Sequence, residues 1–298
     1  MAGKIATATR SKPRIAIVGA GNLASALAVS LCKAGYRVDV IASRDRATSL
    51  KRARRLAKAV GASIAPTTQV LLDARVVWFC VPDAAIAAAA KGLTGAADWK
   101  GKIAMHSSGA LGSDELGSLQ QRGAAIASVH PLMTFVRGAQ PSLTGVPFAV
   151  EGDPPALRMA REIVKSLDGR AYPIRTKDKA AYHAWGTFAS PLFIALLITS
   201  EHVAAAAGVN RKESRQRMLP ILKQTLENYV VLGPAAAFSG PIIRGDVDTV
   251  ERHLRVLRAE PLAQSVYLSL ARAALAYLPG KNKTKLEEAL HSAHPKRR

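Results

Sequence analysis

The chain is poor in cysteine, aromatic residues and acid. Of its 298 residues, two are cysteine, Cys32 and Cys80. Neither stands at metal-ligand spacing, and both read as small buried hydrophobes, so no metal site is expected and the usage suits a reducing cytoplasm. Aromatics make up 5%. Alanine is abundant instead, which favours helix. The N-terminal MAGKIATATRSKPR is basic but has no apolar core, so it is not a secretory signal. Residues 184–200 carry no charge for 17 residues, short of the roughly 20 that span a bilayer. That stretch holds Thr187, Ser190 and Pro191 and is followed by Glu201 and His202. It reads as a helix buried in protein, and no membrane partner is expected.

Acid is the largest shortfall: 21 acidic residues against 42 basic ones give a formal charge of +21. Residues 1–14 and 281–298 carry +4 each, which leaves +13 on the body. Such a field attracts polyanions: a phosphorylated cofactor, an acidic substrate or nucleic acid. The apolar fraction of 49% is ample for a core, and the length suits two domains.

Short β-branched runs at 14–18, 37–42, 75–81, 102–106, 124–129 and 146–150 read as strands, with weaker ones at 63–65 and 171–174. Helical segments separate them, at 22–34 and 45–60 among others. This alternation predicts an α/β Rossmann-type domain, a doubly wound and mostly parallel sheet, over 14–175. Beyond 176 strand signals disappear. Helices are expected at 178–207, 211–231, 247–258, 261–278 and 284–292, which gives an all-α C-terminal domain over 176–280. Basic tails are expected at 1–13 and 281–298.

The first strand ends in Gly19-Ala20-Gly21-Asn22-Leu23-Ala24, which opens the first helix. In that context G-x-G-x-x-A reads as a dinucleotide loop. Gly19 permits the turn, Gly21 lets a diphosphate approach the backbone, and Ala24 lets helix and strand pack closely. The diphosphate would sit on the helix N-terminus, flanked by Ala20, Asn22 and Leu23. The second strand ends in Ser43-Arg44-Asp45. A hydroxyl and a guanidinium there favour the 2′-phosphate of NADP(H), whereas an acid one place earlier would favour NAD. Val81, Pro82 and Ser107 lie at the carboxyl ends of central strands, where ligands bind in open α/β sheets. Ser107 and Ser108 offer hydroxyls on the nicotinamide side, or else cap a turn.

The glycine loop, Val81-Pro82-Asp83, His106-Ser107-Ser108-Gly109-Ala110, His130-Pro131-Leu132-Met133-Thr134-Phe135, Tyr182-His183-Ala184 and 238–246 (FSGPIIRGD) occur in this order. Together they resemble the family with a Rossmann-like N-terminal domain and a helical domain of unknown function, DUF2520. That family is similar to the 6-phosphogluconate dehydrogenase-like superfamily, with pyrroline-5-carboxylate reductase, prephenate dehydrogenase and β-hydroxyacid dehydrogenases as relatives. The resemblance covers about 14–280. It implies NADP(H)-type binding, a homodimer through the helical domain and an active site in a cleft between the domains, but it does not imply a substrate; the expectation of a small, anionic one comes from the basic charge.

His130 follows an apolar strand, and Pro131 holds it extended. A similar His-Pro segment in prephenate dehydrogenases contacts the substrate hydroxyl, so the resemblance makes His130 an acid or base with a pKa near working pH. Lys179 and His183 lie four apart and share a helix face. By resemblance Lys179 is a candidate acid. His183, beside Tyr182 and Trp185, is expected to be partly buried. Ser108 completes the candidate catalytic set. Pro191 should kink its helix, and Asp246 should cap the helix that follows it. Arg244 is a possible anion clamp.

The function expected is an NADP(H)-dependent oxidoreductase moving hydride to or from a small C=O or C=N substrate. The alternatives are a non-catalytic NADP(H) sensor and a nucleic-acid-binding protein. Against the last, no aromatic platform is interleaved with the basic residues.

Overall fold

The computed structural model describes residues 12–292. Residues 1–11 and 293–298, the greater part of the two basic tails, lie outside the described residues. The chain divides into two compact units, one ending at Thr187 and the other starting at Phe188.

The first unit holds eight strands: β1 Ile15–Val18, β2 Val38–Ser43, β3 Ser63–Pro66, β4 Val76–Phe79, β5 Ile103–His106, β6 Ala125–Pro131, β7 Pro147–Gly152 and β8 Arg170–Pro173. Its helices are α1 Asn22–Lys33, α2 Ala47–Val60, α3 Ile86–Gly92, α4 Gly117–Gln120, α5 Pro154–Ser166 and the start of α6, Lys179–Ala189. The strands form one sheet in the order β3-β2-β1-β4-β5-β6-β7-β8. The first six are mutually parallel; β7 runs antiparallel to β6, and β8 runs parallel to β7. The expected mostly parallel sheet is therefore present. The reversal at β7 follows from its connection: a loop, not a crossover helix, joins it to β6.

Both faces of the sheet are buried, which explains why its strands read as unbroken apolar runs. Ile15, Ile17, Trp78, Met105 and Val129 face the side packed by α1, α2 and α5. Ala16, Val18, Val77, Phe79 and Ala104 face the side packed by α3 and α4. Successive residues alternate between the two cores, as a two-residue period requires.

Strand order reverses between β1 and β4, so the crevice of a doubly wound sheet opens there. Register aligns Val18 with Ala42 and Phe79, Phe79 with His106, and His106 with Ser128. The residues just beyond that row, Gly19, Ser43, Cys80, Ser107 and Val129, are thereby brought to one edge.

The second unit contains α7 Pro191–Ala206, α8 Arg211–Leu232, α9 Pro234–Ala237, α10 Pro241–Arg244, α11 Val247–Leu257, α12 Pro261–Tyr277 and α13 Lys283–Ser292. Its core joins Val250 and Leu254 of α11, Leu268, Ala271 and Leu275 of α12, and Leu286 and Leu290 of α13. The helix expected at 284–292 is present as α13 and packs into this core, within the stretch also expected to be a basic tail. Asp246 caps α11, accepting from the Thr249 amide at 3.1 Å.

The long helix expected over 178–207 is broken. Ser190 leaves the helical region (φ −126°, ψ −79°), and Pro191 starts α7. Proline cannot donate to the preceding turn, so the chain restarts rather than merely bends. A single chain does not itself cover the 184–200 stretch that is expected to be buried in protein. Trp185, Phe188, Leu192, Ile194 and Ile198 are all exposed, Phe188 by 72%. The only buried residue of α7 is Glu201, held by both nitrogens of an Arg215 fork at 2.9 and 3.1 Å. The helical stretch Thr176–Ala206 contains an 18-residue window of mean hydropathy 1.5, long and apolar enough by composition to cross a membrane. Its first part belongs to the sheet unit and carries the fully buried Lys179.

Gly19 is the tightest point of the sheet unit. Its φ is +111°, and an added Cβ would lie 2.4 Å from the Cys80 carbonyl oxygen. Gly19→Ala is expected to cost at least about 1–2 kcal/mol from the dihedral alone, and more from the overlap. Urea unfolding of the purified variant measures this, and wild-type stability would contradict the packing described.

Candidate functional site

The loop after β1 meets the N-terminus of α1 at the switch point. Gly21 is the N-cap, with φ −79°, no side-chain cap on the helix and nothing within 4 Å of where a Cβ would be. Neither backbone strain nor crowding within the chain therefore demands glycine there. An exposed, uncapped helix start presents free N–H groups and a positive dipole end. Ala24 is fully buried against the sheet. Asn22 reaches across to donate to the Phe135 carbonyl at 3.1 Å. Ser43 is buried, and its hydroxyl donates to the Arg44 carbonyl, while the Arg44 side chain is exposed.

At the ends of β4, β5 and β6 lies a second group, rich in buried polar side chains. His106 is fully buried. Its Nε2–H donates to the Gly112 carbonyl at 2.8 Å, and its Nδ1 accepts from the Ser108 amide at 3.1 Å. Both nitrogens are thus engaged as in a neutral ring. Burial pushes its pKa down to about 4, with the nearby Lys179 charge acting in the same direction. Ser107 Oγ accepts from the Trp78 indole at 2.8 Å. The Ser108 hydroxyl donates to Asp83 at 2.7 Å and accepts from the amides of Ala110 and Leu111. For Ser108 the turn-capping alternative is the one the geometry favours.

His130 sits in the last part of β6, opposite Ala149. Its ring packs edge-on to Tyr182 at 5.6 Å and to His183 at 6.1 Å, and its Nδ1 is buried with no hydrogen-bond partner. Gly109 makes this stacking possible. A Cβ there would lie 2.6 Å from the His183 ring and 2.8 Å from the His130 ring. The expected pKa near working pH is not what the environment gives. Burial, then the charges of Lys179 and His183, push His130 down to about 4. It is a neutral imidazole at pH 7. His183 is exposed, not partly buried as expected, because it stands on the outer turn of α6 beside the exposed Trp185.

Lys179 is fully buried, and its ammonium donates to the Ser108 carbonyl (3.1 Å) and to Ser128 Oγ (2.8 Å). Ser128 Oγ donates in turn to the Ser108 carbonyl. Burial lowers the Lys179 pKa, opposed by Glu151 and Asp83. Glu151 is itself buried and accepts from the Ser113 amide and hydroxyl and from Thr176. Ser128 and Glu151 did not emerge from the sequence pattern. Their signal was a polar side chain at a strand position buried on both faces. Arg244, the possible clamp, lies in the second unit, where the described hydrogen bonds give its side chain no partner. Among the described residues no group of three or more His, Cys, Asp or Glu could hold a metal.

A basic concavity at the opposite, amino-terminal edge of the sheet is bounded by Lys12, Arg14, Arg75, Lys102 and Arg158. Arg14 pairs with Asp39 and Asp73, and Lys102 caps the carbonyls of Asp73 and Ala74. The carboxyl edge is the better candidate.

Residues 3–131 match the Rossmann-like domain model, and residues 146–274 match DUF2520, a domain of unknown function. The chain carries a Rossmann-like domain followed by a DUF2520 domain. No curated protein matches it significantly. Among solved structures, one from Bacteroides fragilis, described as a "putative NADP oxidoreductase", shares 23% identity, with a TM-score of 0.74 over 88% of this chain and 98% of its own. A Thermotoga maritima protein shares 25% identity, with a TM-score of 0.68 over 93% and 98%. An imine reductase from Myxococcus stipitatus, solved with NADP+, shares 15% identity, with a TM-score of 0.64 over 89% and 94%. Residues 83, 106–109 and 128–130 fall within the Rossmann-like match, and 179–183 within the DUF2520 match.

The neutral histidines make the protein sensitive to acid. An unfolded histidine takes up a proton near pH 6.5, whereas His106 does so near 4. Between these values the unfolded chain binds more protons, so stability falls as pH falls. His106 alone should remove about 3 kcal/mol on going from pH 7 to pH 4. Urea unfolding across that range should show a shallower loss in His106→Asn, even though the variant is less stable at pH 7. Parallel slopes would count against the neutral ring.

Proposed function

We propose that the protein is an NADP(H)-dependent oxidoreductase that moves hydride to or from a small C=O or C=N substrate. The observation that carries this is Gly21: a glycine with an ordinary negative φ and open space beyond it, on an uncapped helix start at the switch point of the sheet. A diphosphate laid against that backbone accounts for the glycine. The neighbouring structures named as an NADP oxidoreductase and as an NADP+-bound imine reductase support the reading.

In this reading Gly19 makes the turn, and Ala20, Gly21, Asn22 and Leu23 carry the diphosphate. Ser43 and the exposed Arg44 face the adenosine 2′-phosphate. Val81, Pro82 and Ser107 line the nicotinamide side. The bound cofactor supplies the hydride chemistry, and the residues here must manage the accompanying proton. His130, neutral at pH 7, accepts a proton from a substrate hydroxyl or orients the carbonyl or imine; His183, exposed beside it, offers the second imidazole. An anionic substrate suits the charge of +21. The two free cysteines suit a cytoplasmic setting.

We also propose a homodimer through the helical unit. Exposed apolar side chains on α7 and α8, among them Leu192, Ile194, Ile221, Leu226 and Val230, support it.

Titration with NADPH and NADH tests the cofactor. NADPH should bind more tightly, Arg44→Ala should remove the preference, and Gly21→Ala should weaken NADPH binding while leaving stability unchanged. Failure to bind either cofactor would sink the proposal. A screen of carbonyl and imine substrates should then show losses of about 100-fold or more in His130→Ala or His183→Ala, and full activity in both would remove these residues from the mechanism. Sedimentation should give about twice the 31.5 kDa chain mass.

A further inference from the structure

Lys179 begins α6, yet none of its surface is exposed. Its ammonium touches the Ser108 carbonyl at 3.1 Å and Ser128 Oγ at 2.8 Å. Among the described residues no carboxylate bonds it directly; Glu151 and Asp83 act from further away. Glu151 is already held by Ser113 and Thr176, and Asp83 by Ser108. A buried charge with only neutral partners is costly, so its presence calls for a reason. The contacts supply one. Ser108 lies in the turn after β5, Ser128 in β6 two residues before His130, and Lys179 at the root of the helix that carries Tyr182 and His183. One ammonium fastens all three segments.

We propose that Lys179 is a positioning residue: it clamps the ends of β5 and β6 to the start of α6 and exchanges no proton with substrate. This rests on the reading above, in which His130 and His183 handle the proton. A donor must touch the reacting atoms. Lys179 instead sets the Gly109 turn against which both imidazoles pack, and its charge helps keep His130 neutral. The groups facing His130 are Lys179, Tyr182 and His183 from α6 and Asp83 from the segment after β4. Those acting on or from Lys179 are Glu151, Asp83, His106 and His130.

Two variants of the full chain separate clamp from donor. Lys179→Gln keeps two N–H donors on a side chain one bond shorter, and Lys179→Met keeps none. Histidine ring NMR titration of the cofactor-free protein should show the His130 midpoint raised in both. With NADPH and 2-methyl-1-pyrroline as the imine probe, Lys179→Gln should keep most of the turnover, and Lys179→Met should lose about tenfold. Both pH profiles should move to higher pH. Loss of turnover to the uncatalysed level in both variants, with an unmoved His130 midpoint, would overturn the proposal in favour of a proton donor. If wild type does not turn over the probe, it is the hydride-transfer reading that fails there. The Ala110 and Leu111 amides then decide: they should exchange hydrogen faster in Lys179→Met than in wild type, and unchanged exchange overturns the clamp. Should neither variant fold, Ser128→Ala removes one anchor. The Ala110 and Leu111 amides, bonded to Ser108 Oγ, should then exchange hydrogen faster, and unchanged exchange overturns the proposal.

Discussion

The carboxyl edge of the sheet depends on one close approach, that of Gly19 to the carbonyl of Cys80. Only a residue without a side chain lets β1 turn there while β4 stays in register beside it. From that contact the rest follows along the row Val18, Phe79, His106, Ser128. The helix start at Gly21, the turn at Ser107 and Ser108, and the imidazole of His130 all stand at fixed offsets from it. A shift at Gly19 would move the proposed diphosphate wall and the histidine pair together.

Electrostatics at this edge run against the character of the chain. The protein carries +21, yet its central site holds two histidines kept neutral by burial and one lysine whose charge faces neutral oxygens. Positive charge is abundant at the surface and restrained within. The field of the whole molecule can draw in an anion, while the interior keeps its imidazole rings uncharged.

Much of the architecture was legible in advance. The sheet strands announced themselves as apolar β-branched runs because both faces are buried, and the glycine loop was readable because its context, strand then helix, is local. Asp246 as a cap was equally local. What failed depended on distance along the chain. His130 looked like a group titrating near neutrality because its burial comes from residues some fifty positions away, at 179–183. That Lys179 is buried against Ser108 and Ser128 was not legible either, because nothing in its own helix shows that they await it. The apolar segment 184–200 reads as buried in protein because apolar sequence ordinarily is, and a single chain leaves Trp185, Phe188 and Ile194 exposed. Composition states that such a surface should be covered, not by what.

That uncovered surface bears on how the second unit holds together. In α7 the only buried side chain is Glu201, and in α8 it is Ser214, so neither helix contributes an apolar residue to the core formed by α11, α12 and α13. Helices in proteins draw most of their stability from a packed apolar face. If a second copy supplies that packing, the order of these two helices becomes a matter of mass action. Their melting would then shift with protein concentration, and dilution alone would loosen them while the sheet unit stayed intact.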